Sequence, residues 1–433
     1  MNHPFWPHRT AIEADQWDKL ERLQRLLLSR NPFYIHKWRE AGLAEGVRGL
    51  DEFVRAAPFT TKPELLEDQE QHPPYGSRLT FPLEEYTRFH QTSGTTRGPL
   101  RCLDTPASWN WVVQNWLHVF SAAGVTRRSS VFFAFSFGPF LGFWSAIEAA
   151  EQMGCLCIPG GGMSSMARLH AMRENGITVL CCTPTYALRL AEVARTEGFP
   201  LDHLAIEAII VAGEPGGSIP STRRRLEEAW VGAHLFDHHG MTEVGPVSFQ
   251  TVDHPDVLHV IEYSYFAEVI HPETGLPVAE GECGELVLTT LGRDALPLLR
   301  YRTGDWVQPS WQGAAVYGRD ELALVGGILG RVDDMVMIRG VNLYPTAIEE
   351  IVRSFAGVEE FRVNVHENQA LAEIEIEVES AAGQDAEHLS RDLASALRSA
   401  FHLRIPVKIV PPGVLPRDEM KARRWVKNPK GAS

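Results

Sequence analysis

Between residues 106 and 236 the sequence alternates two hydrophobic periods, and that alternation limits the fold more than any other feature. Apolar residues recur at helical spacing over 106–123, 140–153, 164–175, 185–197 and 219–230. Short apolar runs of strand length separate them, at 131–135, 155–158, 178–182, 208–211 and 234–236. A parallel neighbour is reached only through a crossover, so strand–helix repetition predicts a mostly parallel sheet covered by helices. Ligands of such sheets gather at the carboxyl ends of the strands. Gly213-Glu214-Pro215 and His239-Gly240-Met241-Thr242-Glu243 fall at two of those ends. The most apolar stretch, 131–147, could be mistaken for a membrane span, but Gly138-Pro139 and Gly142 interrupt it and Glu148 follows at once. Strand, tight turn and helix start fit it better.

The flanks read differently. Trp17, Leu20, Leu23, Leu26 and Leu27 make an amphipathic helix over 17–28, which Asn31-Pro32 stops before a second short helix at 34–41. Thr61 followed by Pro63 marks a further helix start, with Glu64 and Glu67 near its positive end. From residue 265 the texture changes to short β-runs at 267–270, 272–275, 285–290 and 298–301, a small antiparallel subdomain. Gly330-Arg331-Val332-Asp333-Asp334 then punctuates the chain. Beyond it lie a strand at 335–338, a helix at 345–355, strands around 361–365 and 372–378, and a helix at 385–401. The expected architecture is α/β, with two domains. Residues 1–330 form a large domain of mostly parallel, helix-covered sheet plus the antiparallel subdomain, and residues 331–433 form a small mobile α+β domain.

Charge and cysteine usage exclude some functions. A net charge of −14 opposes nonspecific binding to nucleic acid or acidic membranes. Cys155/Cys157 and Cys181/Cys182 sit in strand-like contexts, where neighbouring side chains do not converge on one metal, so buried free thiols in a reducing compartment are expected. Residues 1–16 have no apolar core of the kind an export signal needs, which points to the cytoplasm. The oligomeric state, monomer or homodimer, is open at this level.

The chemistry starts at Gln91-Thr92-Ser93-Gly94-Thr95-Thr96-Arg97-Gly98-Pro99, which follows a strand-like run at 86–89. Small residues let backbone N–H groups turn toward an anion, and the hydroxyls add donors, so the loop suits a polyphosphate. Downstream come Gly213-Glu214-Pro215, His239–Glu243, Tyr301-Arg302-Thr303-Gly304-Asp305, the 331–340 segment and Leu415-Pro416-Arg417-Asp418-Glu419-Met420-Lys421. Lys421, Arg423, Arg424 and Lys427 taken alone read equally as a solvated basic tail. The six motifs in this order resemble the adenylate-forming enzymes (acyl-CoA synthetases, nonribosomal peptide synthetase adenylation domains, luciferases) across nearly the whole chain. The runs Ala295–Asp305 and Asp333–Glu350 and the terminal LPR-x-E-x-K make the phenylacetate–CoA ligase family the most similar branch.

Such enzymes bring one anion to another, a carboxylate to the α-phosphate of ATP, so like charges must be neutralised and held in line. The resemblance assigns Thr92, Ser93, Gly94, Thr95 and Thr96 to the β/γ-phosphates, and Glu243, beside Thr242, to a Mg²⁺ on phosphate oxygens. It gives Asp305 to the ribose hydroxyls, Arg331 to the nucleotide, and Gly213, Glu214, Pro215, His239, Gly240 and Met241 to the adenine side. Lys421 becomes the catalytic lysine bridging carboxylate and α-phosphate. Asp333 becomes the hinge and Gly340 part of the pantetheine tunnel. Two positions depart from the family pattern: Arg97-Gly98 stands where a glycine and lysine are usual, and His239 where a Tyr or Phe is common.

For the acid, the resemblance points to the loop beyond the 131–135 strand. Phe135, Ser136, Phe137 and Gly138 lie there within an aromatic run, and Gly161 and Tyr186 follow the next strands. No lysine or arginine lies within 131–147, which disfavours a second carboxylate on the substrate. Relatives with a zinc site carry cysteines where this chain has Thr251 and Tyr317, so no zinc is expected. The leading expectation is ATP-dependent activation of a phenylacetate- or benzoate-type acid, followed by transfer to CoA with release of AMP and pyrophosphate. Two alternatives stand beside it: transfer to a carrier protein or another biosynthetic acceptor, and a noncatalytic nucleotide-binding relative.

Overall fold

The computed structural model describes residues 8–92, 98–332, 334–338, 341–367, 372–381, 383–417 and 424–429. A five-stranded sheet occupies the middle of the large unit, in the order Leu156–Pro159, Ser130–Phe133, Val179–Cys182, Ala208–Ala212, His234–His238. Every pairing in it is parallel, as the alternation requires. Successive side chains of a strand face opposite ways, and the phenylalanine run shows the result. Phe133 and Phe135 join one core with Val112, Trp116 and Ala146, while Phe132 and Ala134 join another with Leu169, Leu190 and Leu226. Helices Pro106–Ala122 and Trp144–Gln152 cover the first face, and Ser165–Glu174, Pro184–Thr196 and Pro220–Ala229 the second.

Local chemistry starts these helices where the sequence marks them. Thr105 and Thr183 each accept a hydrogen bond from the backbone three residues on, and a proline follows each at the first helical position. Thr61 and Glu64 form a complete capping box ahead of Lys62–Gln71. Asn31 ends Arg9–Arg30 and caps Pro32–Glu40 through its side chain. The apolar stretch at 131–147 divides into strand, loop and helix. Its helix begins at Trp144 rather than 140, after Gly142, whose φ of 44° is incompatible with helix. Among the described residues no helix is long and apolar enough to cross a membrane.

The β-rich part starts earlier than its texture suggests and forms two antiparallel sheets. One runs Ser248–Thr251, His254–Val260, Ala323–Val325, Pro309–Ser310; the other runs Tyr265–Ile270, Gly284–Thr290, Tyr301–Val307, Gly330–Arg331. The expected run at 272–275 is instead a turn, closed by His271 and Gly275 hydrogen bonds. The expected run at 298–301 is not a strand until Tyr301, because Arg300 adopts φ 45°.

A third core, built from residues such as Val336, Ile348, Val363, Ile376 and Leu393, belongs wholly to the chain beyond 331. It contains the hairpin Val336–Ile338/Val341–Leu343, the helices Pro345–Ser354 and Ala386–Phe401, and a four-stranded sheet. That sheet has two strands more than expected: Val407–Val410 pairs parallel with Ala372–Ser380, and Trp425–Pro429 parallel with Val358–Glu367. All six cysteines are free, and Cys102, Cys155, Cys181 and Cys182 are buried.

Candidate active site

The carboxyl ends of Ala208–Ala212 and His234–His238 lead to the Tyr301–Val307 strand, where His239, Glu243, Asp305 and Arg331 of the motifs meet. Glu243 is 5% exposed. Its Oε1 accepts from Tyr301 Oη at 2.9 Å and from Lys62 Nζ at 3.2 Å. Among the described residues no hydrogen bond reaches Oε2. Burial and the neighbouring Glu243 push the Tyr301 phenol well up, so it stays a donor. Lys62 arrives by backbone pairing: Thr60 N–H donates to Arg300 O at 3.0 Å, and Arg302 N–H to Thr60 O at 2.9 Å. The capping box at Thr61 then aims the first helical turn at Glu243. Arg300 holds its left-handed backbone through paired bonds to Glu268 at 2.8 and 3.0 Å and one to Ala57 O at 2.6 Å.

The Thr242-Glu243 backbone is itself pinned. Arg293 Nη1 donates to both carbonyls, at 3.1 and 2.8 Å, while Nε and Nη2 grip Asp104 at 2.7 and 2.6 Å. Both side chains of that ion pair are fully buried. Asp104 ends the strand Arg101–Asp104, so that strand and the Glu243 backbone are tied to one ion pair.

On the other side of Tyr301, Asp305 accepts from His239 Nε2 at 3.0 Å and from Arg331 Nη1 at 3.1 Å. Burial pushes the Asp305 carboxyl up, but His239 and then Arg331 outweigh it and hold the group below the usual carboxylate range. His239 Nδ1 is buried with no hydrogen-bond partner among the described residues. Gly240 and Met241 pair antiparallel with Gly245 and Pro246, and a Cβ on Gly240 would meet Gly245 O at 2.9 Å. Gly213, at φ 95°, and Pro215 are exposed, while Glu214 Oε1 accepts from Thr185 N–H at 2.8 Å. His238, which the sequence did not single out, is tilted against Trp116 at 4.4 Å, and burial lowers it to about 4. Its Nδ1–H donates to Ser248 O at 2.6 Å.

The Ser/Thr/Gly segment connects an antiparallel pair, Arg88–Gln91 with Arg101–Asp104. Thr92 closes its neck: its N–H donates to Leu100 O, and its Oγ1 accepts from Leu100 N–H, both at 3.0 Å. The aromatic loop lies beside Gln91, whose N–H donates to Pro139 O at 2.5 Å. Phe135 packs edge-on against Phe137, Phe140 and Phe143 at 5.8, 5.3 and 5.2 Å. Trp144 Nε1 donates to Gly138 O at 3.0 Å, and Ser136 is half-buried. Gly161 approaches the same loop, since a Cβ there would stand 3.2 Å from the Phe137 ring. Tyr186 does not join them. It belongs to the core on the opposite face of the sheet, is 1% exposed, and its hydroxyl is 3.0 Å from Ser165 Oγ. Its place one turn into a helix, not its distance from a strand end, decides which face it takes.

Ser93, Gly94, Thr95, Thr96, Arg97, Asp333, Gly340 and Lys421 lie outside the described residues. The segments around Thr251 and Tyr317 do meet: the His254 ring is 5.1 Å from that of Tyr317, and His259 is 5.8 Å from it.

Sequence reasoning missed Lys62, and it missed the support that Asp104 and Arg293 provide. The Thr-Lys-Pro helix start was visible, but only the pairing of Thr60 with Tyr301 directs it to the site.

Two stretches of the chain match known families. Residues 91–292 match the model of the AMP-binding enzymes, and residues 340–428 that of the AMP-binding enzyme C-terminal domain. A phenylacetate–coenzyme A ligase of Thermus thermophilus is 32% identical over 433 residues, covering 95% of each chain. The chain belongs to the phenylacetate–CoA ligase family of adenylate-forming enzymes. As a member of that family it is an AMP-forming acid–CoA ligase that works through an acyl-adenylate and uses ATP and CoA. This ligase also overlays a 2-hydroxyisobutyryl-CoA ligase solved with its acyl-adenylate in the postadenylation state, with a TM-score of 0.91 at 26% identity, over 98% of this chain and 91% of the other. Against that relative in its thioester-forming state the TM-score is 0.73 at 28% identity, with the same coverage. The overlay is thus tighter on the postadenylation form of that relative than on its thioester-forming form.

Proposed function

We propose that the ligase activates an aromatic monocarboxylic acid of the phenylacetate or benzoate type and transfers it to CoA. What carries the aromatic reading is the edge-packed group Phe135, Phe137, Phe140 and Phe143, joined to the neck of the Ser/Thr/Gly loop through Gln91 and Pro139. An aryl ring packs well against such edges and faces.

The charged residues fit the first half-reaction. Glu243 offers Oε2, a hard oxygen suited to Mg²⁺, which when bound would neutralise phosphate charge. Lys62, already at Glu243 Oε1, would supply an ammonium to the developing charge where carboxylate and α-phosphate meet. Tyr301 fixes the Glu243 carboxylate, and Arg293 with Asp104 fixes its backbone. Asp305 is ionised at neutral pH. With two of its four acceptor positions taken by His239 and Arg331, it retains capacity for the ribose hydroxyls. The unpartnered His239 Nδ1 is available to the adenine edge. Lys421 would supply the second cation at the reacting oxygens, and Asp333 the pivot that turns residues 331–433 before the thiol enters.

A second reading follows from the overlay at TM-score 0.91 with a ligase for 2-hydroxyisobutyrate: a small branched hydroxy acid. Pyrophosphate release separates the two. The panel is phenylacetate, benzoate, hydroxy- and aminobenzoates, 2-hydroxyisobutyrate, acetate and a long-chain fatty acid. Preference for an aryl acid is the expected result, and preference for any of the last three overturns it. Following thioester formation with CoA and with a phosphopantetheine carrier protein then identifies the acceptor.

A further inference from the structure

Hydrogen bonds and ion pairs join the small unit to the large one. Beside the seam lies a cavity of about 420 Å³ whose lining includes Arg189, Glu192, Arg225 and Glu359. Several contacts across the seam are weak. Arg195–Glu359 is largely exposed, and Arg417–Glu192 is 3.7 Å long.

One contact is different. The helix Pro220–Ala229 begins with Ile219 at its N-cap, a side chain with nothing to offer the helix's first N–H groups. That need is met from the other unit. Glu350 Oε2 accepts from Ser221 N–H at 2.7 Å, and Glu349 Oε1 accepts from Thr222 Oγ1 at 3.4 Å. Ser221 and Thr222 are each 1% exposed. In return Arg225 of the same helix donates to Phe355 O and Val358 O, at 2.8 and 2.7 Å. Phe355 is the C-cap of Pro345–Ser354, the helix that carries Glu349 and Glu350. A carboxylate thus meets the positive end of one helix, and a guanidinium the negative end of the other. Each helix completes its neighbour across the seam, and both completions are lost together when the units separate.

We infer that Glu350 and Arg225 are positioning residues that set the balance between the adenylate-forming and thioester-forming arrangements, by capping each other's helices only in the first. This rests on the proposed two-step reaction with a moving small unit. A group that contacts just one of two arrangements shifts their equilibrium by its whole contribution there.

The test measures both half-reactions on one preparation, with the acid selected by the pyrophosphate panel: adenylate formation from acid and ATP, and thioester formation from supplied acyl-adenylate and CoA. Glu350→Gln and Arg225→Met should each raise the ratio of the second rate to the first by about tenfold. Whichever arrangement dominates in the native enzyme, the ratio moves, and any loss of folded protein cancels in it. Arg195→Gln, which breaks an exposed ion pair on the same seam, should leave the ratio within about twofold. Equal slowing of both steps, or an unchanged ratio in both variants, overturns the inference.

A second measurement needs no substrate. Small-angle scattering should show a profile for the Glu350→Gln/Arg225→Met double variant that differs from that of the native chain, and identical profiles also overturn the inference. If the native chain releases no pyrophosphate with any acid, the functional reading has failed, and the scattering result still decides the latch.

Discussion

Lys62 has no motif of its own, yet it stands 3.2 Å from the carboxylate that the motifs single out. Its side chain is about a third exposed, so removing it should cost little stability. Lys62→Met should lower pyrophosphate release roughly a hundredfold, the scale seen when one preorganised charge is taken from a reacting centre. The thermal midpoint should stay nearly constant, and Lys62→Arg should restore part of the rate. An unchanged rate would reduce Lys62 to a mere partner of Glu243. Glu243, Asp305 and His239 stand out in the sequence because each sits in a short motif, the first and last beyond the strand His234–His238 and Asp305 within Tyr301–Val307. Lys62, Asp104 and Arg293 do not, because their roles come from contacts between distant segments: Asp104 and Arg293 are 189 residues apart.

At the level of elements, hydrophobic period and capping residues located most helices and all five strands of the parallel sheet, usually within a few residues. Extra strands in the small unit and a sheet beginning at Ser248 were not legible, since their pairing depends on partners far along the chain. The same limit explains Tyr186. Its neighbour in sequence, Thr183, caps the helix, and one turn of helix then carries the ring to the face opposite Phe135. Tyr186→Phe should therefore leave the order of preferred acids unchanged. It should lower stability by about 1 kcal/mol through the lost contact with Ser165, as read from urea unfolding. A changed acid preference would return Tyr186 to the substrate pocket.

Across the whole molecule, buried titrating groups make stability depend on pH. Burial lowers His90, His118 and His238 from 6.5 to about 4, and His259 to about 3. A depressed histidine favours the folded state fully above 6.5, and that contribution is lost as pH falls toward 4. Burial also raises Glu321, from 4.5 to about 7, so its contribution runs the opposite way, present below 4.5 and lost as pH rises to 7. Urea midpoints should therefore drop between pH 7 and pH 5. Glu321→Gln should raise the midpoint at pH 8 and not at pH 5, and a gain equal at both would show that the cost is not ionic. The buried cysteines have a consequence for the enzyme's survival of its own chemistry. An acyl-adenylate is an electrophile that acylates thiolates, and thiolates alone among sulfur groups attack it readily. Burial raises Cys102, Cys155 and Cys283, lifts Cys157 to about 12, and pushes Cys181 and Cys182 higher still. Burial thereby keeps the protein's own sulfur protonated and disfavours its acylation by the activated intermediate.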